Sequence, residues 1–173
     1  MADQPTDRWL KFVTLTTTIL AVCAAISTLR GGSNSTKVQL STVAAANKWS
    51  YFQSKSIKQH SCETERDLLR YYVIQAKAAD ERKYLTEKLA SVDADIVRYD
   101  GEKADITKDA KNLEAQQSFY MEHSQSLGMA AMLLQIAIML SAISALLKKP
   151  HTWYLGLACG VAGLFFMIKG LYL

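Results

Sequence analysis

"LLKKPHTWYLGLACGVAGLFF", from Leu146 to Phe166, sets two lysines and a proline between two nearly charge-free stretches. Such an interruption divides one apolar region into two. Working back from it, Leu127 to Leu147 carries no charge and has the length, roughly 20 residues, that a helix needs to cross a bilayer. Working forward, Trp153 to Ile168 is a shorter run with Lys169 just beyond it, where a lysine reaches the interface by snorkelling. A third charge-free run, Phe12 to Leu29, lies near the N-terminus. Trp9, Trp153, Tyr154 and Tyr172 stand at run ends, the places aromatic side chains take at a membrane surface. The chain is expected to span a membrane three times. A cleaved signal peptide has a similar apolar core, and a lipoprotein signal would end at Cys23, but Val22 stands where a small residue is needed. The first run is read as an uncleaved anchor.

With three spans, the N-terminal tail and the loop after the second span share one side. The tail carries Arg8 and Lys11, and the loop carries Lys148 and Lys149. Short basic segments are retained in the cytoplasm, so these four residues are expected to fix the topology. The long segment between the first and second spans then lies on the outer, periplasmic side. Pro150 helps end the second span before the chain turns back.

That long segment is charged and almost free of helix breakers. "RGGSNSTK", Arg30 to Lys37, reads as a linker in which Gly31 and Gly32 end the first span and Asn34, Ser35 or Thr36 caps a new helix. Beyond it, Leu85, Leu89, Val92, Ile96, Tyr99, Lys103, Ile106, Ala110, Leu113, Gln117 and Tyr120 alternate steps of four and three, the spacing of a long helix with a packed seam. The seam runs through Gly101, which is therefore a weak spot of about 1 kcal/mol rather than a turn. Both ends of the segment return to one membrane face, so its two arms should be of similar length, with a reversal near Ala78 to Lys83. Charge favours the same pairing. Ser35 to Ala79 holds seven basic residues against three acidic, and Asp80 to Gln125 seven basic against eleven acidic. The first arm is less regular: Trp49, Phe52 and Ile57 form one apolar cluster and Leu68, Leu69, Tyr72 and Val73 another. The polar "SKSIKQHSCETERD" between them, Ser54 to Asp67, reads as a kink or a docking surface.

The expected fold is all-α: three transmembrane helices and a long extramembrane antiparallel helical hairpin, coiled-coil-like. Its parts are a cytoplasmic tail (1–11), a first span (12–30), the hairpin (31–126), a second span (127–147), a basic loop (148–152) and a third span (153–173).

"YFQSKSIKQH", Tyr51 to His60, following Ala46–Asn47–Lys48–Trp49, and "LLQIAIMLSAISALLKKPHTWYLGLACGVAG", Leu133 to Gly163, resemble a family of small bacterial inner-membrane proteins of unknown function. The resemblance covers nearly the whole chain and implies this architecture in a bacterial inner membrane. It implies no activity. Gly101 departs from it, since a charged helix former would be more typical there.

The residues carry no catalytic signature. A net charge of +4 without a basic patch interleaved with stacking aromatics gives no reason to expect nucleic acid. No nucleophile–base–orienter set or glycine-rich phosphate loop stands out, so the chain is read as not an enzyme, with no cofactor. His60, Cys62 and Glu63 are close in sequence but too few for a closed metal site; a metal-dependent enzyme or sensor is the least favoured reading. Cys23 and Cys159 sit in apolar runs as small hydrophobes. Gly156, Gly160 and Gly163 form a small-residue face suited to close helix packing, and Gln135, Ser141 and Ser144 are placed to hydrogen-bond across the second span. The expected function is a self-assembling scaffold, or an accessory subunit of a larger membrane complex, with the lipid bilayer as its medium and no small-molecule ligand specified. The alternative is a homo-oligomeric channel lined by Thr, Ser and Gln faces, including Thr14, Thr16, Thr17 and Thr18.

Overall fold

The computed structural model describes residues 7–172, with side chains from Trp9 onward. Its elements are three helices: α1 (Asp7–Gln75), α2 (Ala79–Leu147) and α3 (Pro150–Tyr172). No strand occurs among the described residues, so the all-α expectation is met. Each of the three is long and apolar enough over part of its length to cross a membrane.

α1 and α2 are each 69 residues long. The linker expected at Arg30 to Lys37 is absent, because α1 continues through it. The reason lies in packing. A Cβ built on Gly31 would come within 3.3 Å of the Leu127 Cβ, whereas one on Gly32 would meet nothing. Gly31 lets the helices approach, and the surrounding apolar contacts hold its backbone helical despite a propensity cost of about 1 kcal/mol. The expected kink at Ser54 to Asp67 is likewise absent from α1.

The reversal occupies residues 76–78, slightly earlier than Ala78 to Lys83. Asp80 and Glu81 already belong to the first turn of α2, where negative side chains complement the positive helix end. α2 closes on Lys148, whose φ of 54° is the left-handed conformation that ends many helices. Pro150 then opens α3, in the position where its missing N–H costs nothing.

The chain divides into two compact units, one of residues 1–39 and 116–173 and the other of residues 40–115. In the first, Leu20 and Ala24 of α1 pack with Leu134 and Ala137 of α2, joined by Cys23, Ile138, Cys159 and Leu164. In the second, Leu69, Val92 and Ile96 form the core, with Cys62, Leu85 and Leu89 against it. The second unit is thus an antiparallel pair of helical arms.

Candidate helix-packing site

The face α3 turns inward in the first unit is made of glycine. Its buried residues are Gly156, Gly160, Gly163 and Gly170. An added Cβ would lie 2.9 Å from Leu134 Cγ at Gly163, 3.1 Å from Leu20 Cδ2 at Gly160, 3.0 Å from the Ala137 carbonyl at Gly156 and 2.8 Å from Leu127 Cγ at Gly170. Close approach of this kind replaces the hydrophobic drive that apolar surroundings cannot supply. The small-residue face is therefore filled within the chain, by α2 and α1. It is not an open surface for a second copy.

Ser141 and Ser144 are buried too. Ser141 Oγ donates to the Ala137 carbonyl at 2.8 Å. Ser144 Oγ donates to the Lys149 carbonyl at 2.6 Å, tying the end of α2 to the start of α3. The hydroxyls of Thr14, Thr16, Thr17 and Thr18 donate to carbonyls of their own helix. Gln135 differs. It faces outward on α2, on the same side as Met132 and Met139, both more than half exposed.

In the second unit, Leu85, Leu89, Val92, Ile96, Tyr99, Ile106, Ala110 and Leu113 are all buried or half-buried. Facing them, α1 has its own alternation of four and three: Ser41, Ala45, Lys48, Phe52, Lys55, Gln59, Cys62, Arg66, Leu69 and Val73 are buried or half-buried. Polar side chains occupy half of this seam, which hid it from a search for apolar spacing. Three of them, Lys48, Lys55 and Gln59, are matched across the pair. Lys48 Nζ lies 2.7 Å from Asp109 Oδ2 and Lys55 Nζ 2.5 Å from Glu102 Oε2. Gln59 Nε2 donates to Asp100 Oδ1 at 3.0 Å, and Trp49 Nε1 to Glu114 Oε1 at 2.8 Å. Ile57, grouped with Trp49 and Phe52 by sequence, instead points outward at 71% exposure.

These pairs move the titrating groups in consistent directions. Hydrogen bonding to Lys55 holds the Glu102 carboxyl below its ordinary 4.5. Hydrogen bonds from Gln59 and then Lys103 hold Asp100 below 3.8. The Lys55 ammonium is raised above 10.5 by Glu102 and then Tyr51.

The topology residues Lys11, Lys148 and Lys149 are exposed; the Arg8 side chain lies outside the described residues. His60 is exposed, with Nδ1 3.5 Å from Glu63 Oε2. Cys62 instead packs against the Leu69–Val92–Ile96 core, so the structure does not gather the three around one point. Gly31, Gly170, Leu127 and Leu134 are the packing residues that sequence reasoning missed. Gly170 lies one heptad beyond Gly163, and that spacing is the signal that would have found it.

Over residues 9–173 the chain matches a family described as a domain of unknown function, DUF4337. The chain belongs to that family. No curated protein and no solved structure matches it.

Proposed function

We propose that this chain is a non-enzymatic integral protein of a bacterial inner membrane. It acts as a self-assembling scaffold, or as a subunit joined to a larger complex, through helix packing. The tail and the Lys148–Lys149 loop are cytoplasmic and the residues 40–115 unit is periplasmic. Gln135 carries the self-assembly reading. Its amide stands near the middle of a charge-free apolar run, on the outer side of α2. Facing hydrocarbon, such a group lacks the hydrogen bonds it has in water, and a second copy supplies them. The methionines beside it give a surface that adapts to a partner helix.

The test is disulfide cross-linking of a Met132→Cys variant in a background without the native cysteines. A covalent dimer is expected, with its yield falling when Gln135 is also changed to Leu. Membrane hydrogen bonds of this type contribute about 0.6–2 kcal/mol, so the fall should be about threefold to thirtyfold. Only monomer across a series of cysteines along this face would overturn the reading.

Gln135 also favours one alternative, a ring of copies that turns this amide toward a pore. Ion flux in reconstituted vesicles separates the two, because a scaffold conducts nothing.

A further inference from the structure

The first unit holds a cleft of about 310 Å³ between Arg30, Asn34 and Lys37 of α1, Tyr120 and His123 of α2 and the last turn of α3. Its position is defined by packing. Gly31 of α1 and Gly170 of α3 both close on Leu127 of α2, and the Ser124 hydroxyl donates to the Gly31 carbonyl at 3.2 Å. The charge-free run of α1 ends at Leu29, that of α2 begins just before Leu127 and Lys169 closes that of α3. All three apolar runs thus end at the level of this cleft.

No carboxylate lines the cleft among the described residues. The Lys37 ammonium sits over the Tyr120 ring, 4.9 Å from its centre. Arg30 is exposed, and its guanidinium has no ion-pair partner among the described residues. His123 Nδ1 lies 3.2 Å from the Gly170 carbonyl. A carbonyl only accepts, so Nδ1 carries hydrogen and Nε2 is left for another contact. The carbonyl end of α3 opposes an anion with about half a charge, less than the full positive charge of the Arg30 guanidinium.

Resting on the membrane reading above, we propose that this cleft binds the phosphate of an anionic phospholipid, with Arg30 and Lys37 as its ligands. Arginine offers a planar fork that matches phosphate oxygens, and lysine offers a point charge. The lipid's acyl chains would lie along the apolar runs that start here, a placement that free phosphate does not exploit.

The experiment uses the full chain in bilayer discs of phosphatidylcholine with a minor fraction of phosphatidylglycerol, and counts retained lipid by native mass spectrometry. The wild type is expected to retain phosphatidylglycerol selectively. The Arg30→Gln/Lys37→Gln double variant should lose this selectivity by about thirtyfold, the order for removing two basic groups at an anionic surface. Lys148→Gln/Lys149→Gln, at the opposite end of the runs, should keep it. Circular dichroism identifies any variant that fails to fold, and Arg30→Lys then serves in its place, with a smaller loss expected. Equal retention by the wild type and the folded double variant would overturn the proposal. So would inorganic phosphate displacing the lipid at millimolar concentration, which would make the site one for a free anion. Recovery of the chain in the soluble fraction would instead defeat the membrane reading itself.

Discussion

Gly101 and Lys148 are single residues whose backbone setting, rather than their contacts, decides what a substitution does. Gly101 is exposed within α2 and a Cβ there would meet nothing within 4 Å. Alanine restricts the unfolded chain and loses nothing in the folded one, so Gly101→Ala should stabilise by about 0.5–1 kcal/mol. Thermal melting in detergent would show this as a higher midpoint. Lys148 holds a left-handed conformation that costs an L-residue about 1–2 kcal/mol. Lys148→Gly should also stabilise, while removing one of the charges proposed to hold the loop in the cytoplasm. Gly163 is the opposite case. Its Cβ would press on Leu134 Cγ at 2.9 Å, and Gly163→Val should destabilise by about 1–3 kcal/mol, as overpacking does. Faster proteolysis near the start of α3 in bilayer discs is the measurement. Gly101 and Gly163 look alike in sequence; only their neighbours separate them.

At the scale of elements, the arms of the second unit are coupled by charge as well as by the seam. The Glu102 and Asp100 carboxyls are pulled down, so their contribution is complete above their ordinary values of 4.5 and 3.8 and is lost as pH falls through the lowered ones. The Lys55 ammonium is pulled up, so its contribution is complete below 10.5 and is lost as pH rises through the raised value. The contribution of these pairs should therefore be level between about 4.5 and 10.5 and fall on either side. Added salt should flatten the dependence, because the groups are near solvent. A pH series of melts at low and high salt checks both statements. The α2 seam was legible because nearly all its positions are apolar. The α1 seam was not, since Ser41, Lys48, Lys55, Gln59 and Arg66 occupy the same alternation. For Lys48, Lys55 and Gln59, fitness for those places depends on Asp109, Glu102 and Asp100 on the other arm. The unbroken course of α1 was hidden for a related reason. Adjacent glycines signal an end, and only the Leu127 contact shows why Gly31 sits within a helix instead.

For the whole molecule, what the chain does depends on which surfaces remain after the helices have packed on each other. The small-residue face, Ser141 and Ser144 are used internally, so the proposed assembly is assigned to the methionine-lined side of α2 around Gln135. The proposed orientation is checked with Lys77→Cys, in the exposed reversal, against Lys149→Cys, in a background without the native cysteines. A membrane-impermeant thiol reagent added to intact cells should label the first and not the second. Cys62 is a poor reporter for this purpose, because it packs into the core between the arms. The most direct measurement is the native mass of the complex extracted gently from its own membranes. The self-assembly reading, the account's central claim, predicts an integer multiple of the 19.2 kDa chain, above one, that shifts to smaller species in Gln135→Leu. A complex holding a single copy, or one whose mass ignores that substitution, would contradict it.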